Sequence, residues 1–213
     1  MPTDPALADL AVQLNGLDAD PVLRWSAFDA AFRCWASATD PCHAVRRHLA
    51  DLPPGAAPPM AAATHVARCL RDVPDEPFSF WLHTYRPQRD WLRGYAESVH
   101  NHRYHLSSTV LSGSYEHERF DVAINARTGL IDQAGLKHRG TYCTGDAGAL
   151  LFTEFHRIPA AADGTAALLV KSRAIAPWSL SFDPSRRRGY RHAPAAERVV
   201  RLVGDSSLGR PQQ

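Results

Sequence analysis

A chain of 213 residues is long enough for one sizeable core, or for one core with a helical appendage. Charged residues at 22% and hydrophobic residues at 45% describe an ordinary folded domain and exclude a disordered chain. A net charge of +2 gives no ground for a nucleic-acid or membrane partner.

At the amino terminus, Met1 to Asp4 carries no basic stretch followed by an apolar one. No apolar run in the chain approaches the ~20 residues a membrane span needs. A cytoplasmic location is expected. Pro5 to about Leu70 reads as helical. Ala6, Leu7, Leu10, Ala11 and Leu14 keep a three–four spacing, with Asp4 as cap and Pro5 in the first turn. A second helix is predicted over Pro21–Trp35, capped by Asp20, with Val22, Trp25, Phe28 and Phe32 on one face. Asp40-Pro41 opens a third through His48 and Leu49. A proline-rich connector, Pro53 to Pro59, follows, and Ala61 to Leu70 is predicted as a fourth helix. Cys34, Cys42, Cys69 and Cys143 show no CxxC pairing and read as reduced thiols.

After Pro74 the period changes. Pro77 to Tyr85 alternates aromatic and polar residues, as a strand does. From there to Pro184, short apolar runs recur between turn signals at Gly113-Ser114, Asn125–Gly129, Thr144–Asp146 and Ala162–Gly164. Ala149–Phe152 and Ala166–Val170 read as paired strands on either side of the Ala161–Gly164 turn. Val199–Val203 is a candidate last strand, and the run Arg186–Arg188 reads as a solvated face. The division expected is a helical segment over 1–75, a β-barrel over 76–184, and a strand and frayed tail over 185–213.

Within the β-region, Gly94 to Gly113 is the stretch that carries chemistry. His100 and His102 stand one residue apart, so on a strand their imidazoles point the same way. Two converging imidazoles make most of a facial metal site. Gly94, His100, His102 and Gly113 have the spacing of the first cupin motif, and this stretch resembles it. The usual glutamate ligand is missing, because its position falls on Leu106 or Ser107. A second, degenerate cupin motif is suggested by Gly145 and His156, with Leu151, Thr153 and Ala160 in place of its proline, glycine and asparagine. The resemblance covers roughly Pro77 to Asp183. It implies an α+β protein: an antiparallel cupin-type β-barrel or sandwich (jelly roll) with an amino-terminal helical segment.

It also implies a metal held by His100, His102 and His156. Such three-histidine sites occur in cysteine-dioxygenase-like non-haem iron enzymes, which this sequence resembles. Neutral imidazoles suit Fe(II) first, with Ni, Co, Cu, Mn or Zn as alternatives. The run Leu169–Arg173 lacks the serine–histidine–tyrosine relay of the thiol dioxygenases, so cysteine itself is not implied as substrate. Three other residues are expected to act on the substrate. Tyr104 shares a strand face with the two histidines, and Arg173 and Arg86 offer anion clamps. Lys171 could join Arg173 if that strand faces the pocket, and Arg89 and Arg93 compete for the same role. Glu97 could orient a ligand histidine. His83 is a candidate fourth ligand or hydrogen-bond donor. His105 is off-phase and should face away, while His43, His48, His65 and His192 read as ordinary hydrogen-bonding histidines.

No G-x-G-x-x-G, Walker loop, G-x-S-x-G elbow or HExxH competes. The function expected is oxygenation of a small anionic metabolite, amino-acid-like or thiol, by a dioxygenase. A redox-free isomerase or lyase and a non-enzymatic binding protein stand as alternatives. Partners expected are a small-molecule substrate and dioxygen, without nucleic acid or membrane, and a homodimer is open.

Overall fold

The computed structural model describes residues 5–52, 58–91 and 98–193. The expected Asp4 cap, Arg93, Gly94, Glu97 and the Val199–Val203 strand lie outside these residues. Helix α1 spans Pro5–Asn15 and buries Leu7, Leu10, Ala11 and Leu14, the stripe its spacing predicts. Helix α3, Pro41–Ala50, begins as expected: Asp40 Oδ1 accepts the His43 amide at 2.9 Å, and Pro41 occupies the first turn.

Helix α2 starts later than predicted, at Trp25, and runs to Ala38. The Asp20 carboxylate is used in a turn, accepting the Val22 amide at 2.8 Å, while its carbonyl accepts from Arg24. Val22 is therefore 44% exposed and Leu23 81% exposed, and the buried face is Trp25, Phe28, Phe32 and Trp35. The predicted fourth helix is also corrected. Met60–Ala61 forms β1 and His65–Asp72 forms β2, which pairs antiparallel with β3, Phe78–Tyr85. Ladder pairing along an existing strand outweighs the weak helical preference of a short alanine-rich run.

The remaining strands are β4 (Val99–His100), β5 (Leu106–Ser112), β6 (Ser114–Ile124), β7 (Ile131–Cys143), β8 (Ala147–Leu150), β9 (Phe155–Ala161), β10 (Ala166–Ser172), β11 (Ser179–Asp183) and β12 (Arg188–His192). One sheet has the order β1-β2-β3-β10-β5-β8 and the other β12-β11-β4-β9-β6-β7. Every pairing is antiparallel. Strands β3 to β10 fall into two four-stranded sets, 3-10-5-8 and 4-9-6-7, which is the jelly-roll order. The expected α+β architecture is what the chain forms. Its connectivity corrects one expectation. Ala149–Phe152 and Ala166–Val170 do not pair with each other, because β5 lies between β8 and β10 in the first sheet, and β9, in the second sheet, intervenes in sequence.

Gly113 makes the tight β5–β6 connection. Its φ of 73° is open to glycine, and a Cβ there would fall 2.4 Å from Thr165 Oγ1. The largest apolar cluster is not between the sheets. It lies where the helices cover the outer face of the first sheet, joining Leu7, Leu10, Phe28 and Phe32 to Phe78, Phe80, Leu168 and Val170. On β3 and β10 the alternate residues, Ser79, Trp81 and His83 and Ala167, Leu169 and Lys171, therefore face inward.

In the second sheet Glu118 is 0% exposed and pairs with Arg139 of β7 and Arg157 of β9, tying three strands together. Glu118→Ala is expected to lower stability by about 2–4 kcal/mol, since it leaves two arginines without their acceptor. His48, 2% exposed in α3, has no hydrogen-bond partner for either ring nitrogen among the described residues. His48→Leu is expected to raise stability by about 1–2 kcal/mol. Denaturant melts of the two variants should shift in opposite directions. A stabilised Glu118→Ala or a destabilised His48→Leu contradicts these assignments.

Candidate metal centre

The cavity lies between the two sheets and is lined by six histidines, four tyrosines and Arg119, with apolar residues such as Leu106, Leu150 and Ile158. No aspartate or glutamate lines it among the described residues. Its volume of about 90 Å³ accommodates a ligand of about half a dozen non-hydrogen atoms.

His100 and His156 are direct cross-strand partners on β4 and β9, so their side chains leave the sheet on the same face. His102 lies just past the end of β4, outside the strand on which it was predicted, and still turns into the cavity. The three ring centroids form a triangle with sides of 5.1, 4.6 and 5.0 Å. Their donor nitrogens all lie within 4.8 Å of one another, and His102 Nε2 is 2.9 Å from His156 Nε2. Two nitrogens bound to one ion at right angles, each ~2.1 Å from it, stand about 3.0 Å apart, so this pair has the spacing a facial site requires.

Tautomers support the same reading. His100 Nδ1 donates to the Ser98 carbonyl at 2.7 Å, which leaves Nε2 with its lone pair toward the cavity. His117 Nε2 lies 2.9 Å from His156 Nδ1, so His156 can donate from Nδ1 and keep Nε2 as a ligand. Burial pushes His100 and His117 down to about 4 and holds His102 and His156 well below the ordinary imidazole range. All four rings are then neutral near pH 7, the form in which histidine binds a metal. The residues present fit a divalent transition ion.

The missing carboxylate is visible in space. Leu106 lines the cavity, whereas Ser107 faces the helices and accepts the Trp25 indole N–H at 3.1 Å. Tyr104 lines the cavity as expected and stacks on His102, with 5.2 Å between ring centroids. Arg173 does not reach the cavity. It lies past the end of β10, donating to Asp72 and to the carbonyls of Val73 and Glu76. Arg86 is half-buried and outside the lining, with its backbone bonded to Thr64 and Trp91. Arg89 is exposed beside Asp90. His105 faces the helices, where its Nε2 meets the Val22 carbonyl at 3.1 Å and its ring stacks on Trp25.

Three cavity residues escape a reading of the sequence alone. His117 and Arg119 follow Tyr115 at two-residue intervals on β6, a period that marks one face of a strand. His65, read as an ordinary histidine, stacks against His83 at 4.2 Å in the cavity wall. His83 is not among the three convergent nitrogens, so it is no fourth ligand there.

No known protein family matches the chain, and no curated protein matches it. Solved structures do. A variant of oxalate decarboxylase from Bacillus subtilis aligns at 18% identity, covering 54% of this chain and 26% of that one, with a TM-score of 0.37. Another variant of that enzyme aligns at 19% identity over 68% of this chain and 34% of that one, with a TM-score of 0.38. The 11S globulin from Wrightia tinctoria, whose structure reveals an auxin binding site, aligns at 13% identity over 67% and 30%, with a TM-score of 0.36. The aligned part spans about a quarter to a third of those proteins' length.

Proposed function

We propose that the protein is a mononuclear non-haem metalloenzyme of cupin type that uses dioxygen to oxidise a small anionic metabolite. His100, His102 and His156 would hold the metal, with Fe(II) the first choice. The observation that carries this reading is the convergence of three neutral imidazoles in one cavity, with no carboxylate beside them among the described residues. A structural metal site closes its coordination sphere, whereas three ligands leave positions open for exogenous groups. Bound there, Fe(II) would supply one-electron chemistry toward dioxygen and a Lewis-acidic docking point for an anionic donor.

The chain's own residues set the conditions for that chemistry. With Leu106 in place of an acid, the three ligands are uncharged, so an anionic donor on the substrate is favoured. His117 fixes the ring of His156 and supports its tautomer. Tyr104, stacked on His102, brings a phenol to the same space, where its hydroxyl can donate to a bound oxygen atom. Leu106, Leu150 and Leu169 restrict water at the reacting end.

Alanine at His100, His102 or His156 is expected to strip most of the metal and leave the cooperative melt in place. His117→Ala is expected to weaken metal affinity by about 10–100-fold through loss of orientation. Elemental analysis of anaerobically purified protein reads all four variants. Full metal retention by any one of the first three removes that residue from the site. An oxygen electrode then tests the redox assignment, with uptake expected on addition of a suitable short carboxylic or thiol acid to the iron-loaded protein. A stoichiometrically loaded protein that consumes no oxygen with any such acid would favour Lewis-acid chemistry at the same three histidines.

A further inference from the structure

The cavity has a second polar end, built by the first sheet. Lys171 on β10 is 9% exposed and forms no ion pair with any carboxylate among the described residues. Its Nζ lies 4.4 Å from the centroid of the Trp81 ring, 5.3 Å from that of Tyr104, and 3.3 Å from His83 Nε2. An ammonium has no lone pair, so Lys171 is the donor in that contact and His83 must carry its hydrogen on Nδ1. His83 Nδ1 has no partner among the described residues. Beside it, His65 Nδ1 meets the Thr64 hydroxyl at 3.1 Å, and its Nε2 has no partner among the described residues. The two stacked imidazoles thus present ring nitrogens to a cavity that both residues line.

A buried ammonium without a counter-ion is costly unless a ligand supplies the opposite charge. Trp81 and Tyr104 offer their ring faces, which stabilise the cation but do not neutralise it. Burial lowers the Lys171 amine to about 8, so it remains largely protonated near pH 7. No described acid lines the cavity, and an anion bound beside His83 would supply the opposite charge.

We infer that the His65 and His83 end of the cavity, with Lys171 behind His83, is an anion subsite that binds the substrate's carboxylate, so that the substrate is a short acid with a second donor group at its other end. His83 Nδ1–H and His65 Nε2–H would donate to the carboxylate oxygens, and Lys171, behind His83, would polarise that contact and balance the charge. The cavity volume holds a carboxylate with about three or four further atoms, which suits a short acid. Only the placement of the second donor rests on the metal-site reading. The anion subsite itself does not.

Calorimetric titration of the full-length, chelator-treated protein with malonate tests the subsite, with neutral malonamide as the control. Malonate is expected to bind wild type, and malonamide is not. Lys171→Met should weaken malonate binding at least ~10-fold, about 1.4 kcal/mol, while Lys171→Arg, which keeps the charge, should retain most of it. Should Lys171→Met lose its cooperative melt, His83→Phe carries the same expectation. The inference is overturned by wild-type affinity in a folded Lys171→Met, by equal binding of malonamide, or by a wild type that does not bind malonate. Metal content, measured separately, decides the metal site without affecting this outcome.

Discussion

The structure depends on where its largest apolar cluster lies. In a two-sheet sandwich the space between the sheets usually holds the core. Here the helices offer Leu7, Leu10, Phe28 and Phe32 to the outer face of the first sheet, and Phe78, Phe80, Leu168 and Val170 answer them. Each fully buried side chain of this kind contributes about 1.5–3 kcal/mol. Strand alternation then turns the neighbours of these residues inward. Because much of the apolar stabilisation is obtained outside the sandwich, the inside can hold histidines, tyrosines and a lysine.

That inversion also explains why imidazoles cluster so densely. Each is neutral because burial penalises its charged form, and neutral rings can approach one another without repulsion. The contacts of His102 and His117 with His156, each 2.9 Å, would be unfavourable between imidazolium ions. A low-dielectric surrounding is the condition for such a cluster, and the same condition makes its lone pairs available to a metal.

The parts of this arrangement legible in the sequence are those written within a few residues. His100 and His102 announce themselves by spacing, and Asp40-Pro41 by capping chemistry. The strand cadence after Pro74 marks a β-sandwich. His117 and His65 are single histidines on their own strands, and only the tertiary pairing of β6 with β9, and of β2 with β3, brings them to the cavity. The predicted fourth helix failed for a related reason, since β2 owes its conformation to β3 and not to its own residues. Arg173 continues the inward phase of β10 in sequence, but β10 ends at Ser172 and the guanidinium turns to Asp72 and the nearby carbonyls. Period arguments lose force at the last residue of a strand.

Charge balance connects the two ends of the cavity. The acids next in sequence to the lining residues of β6 are Glu116 and Glu118, and alternation sends both to the opposite face, where Glu116 is exposed and Glu118 is buried. There Glu118 is held by Arg139 and Arg157, so it cannot compensate charge in the cavity. Glu154 is likewise engaged, with Arg119 at 2.9 Å. What remains inside is Lys171 together with any cation the three histidines bind, and no described acidic side chain opposes them. The anion subsite inferred above would offset that positive charge. A metal at the histidines and a carboxylate at His83 and His65 would each favour the other's binding, because each supplies charge that the other lacks.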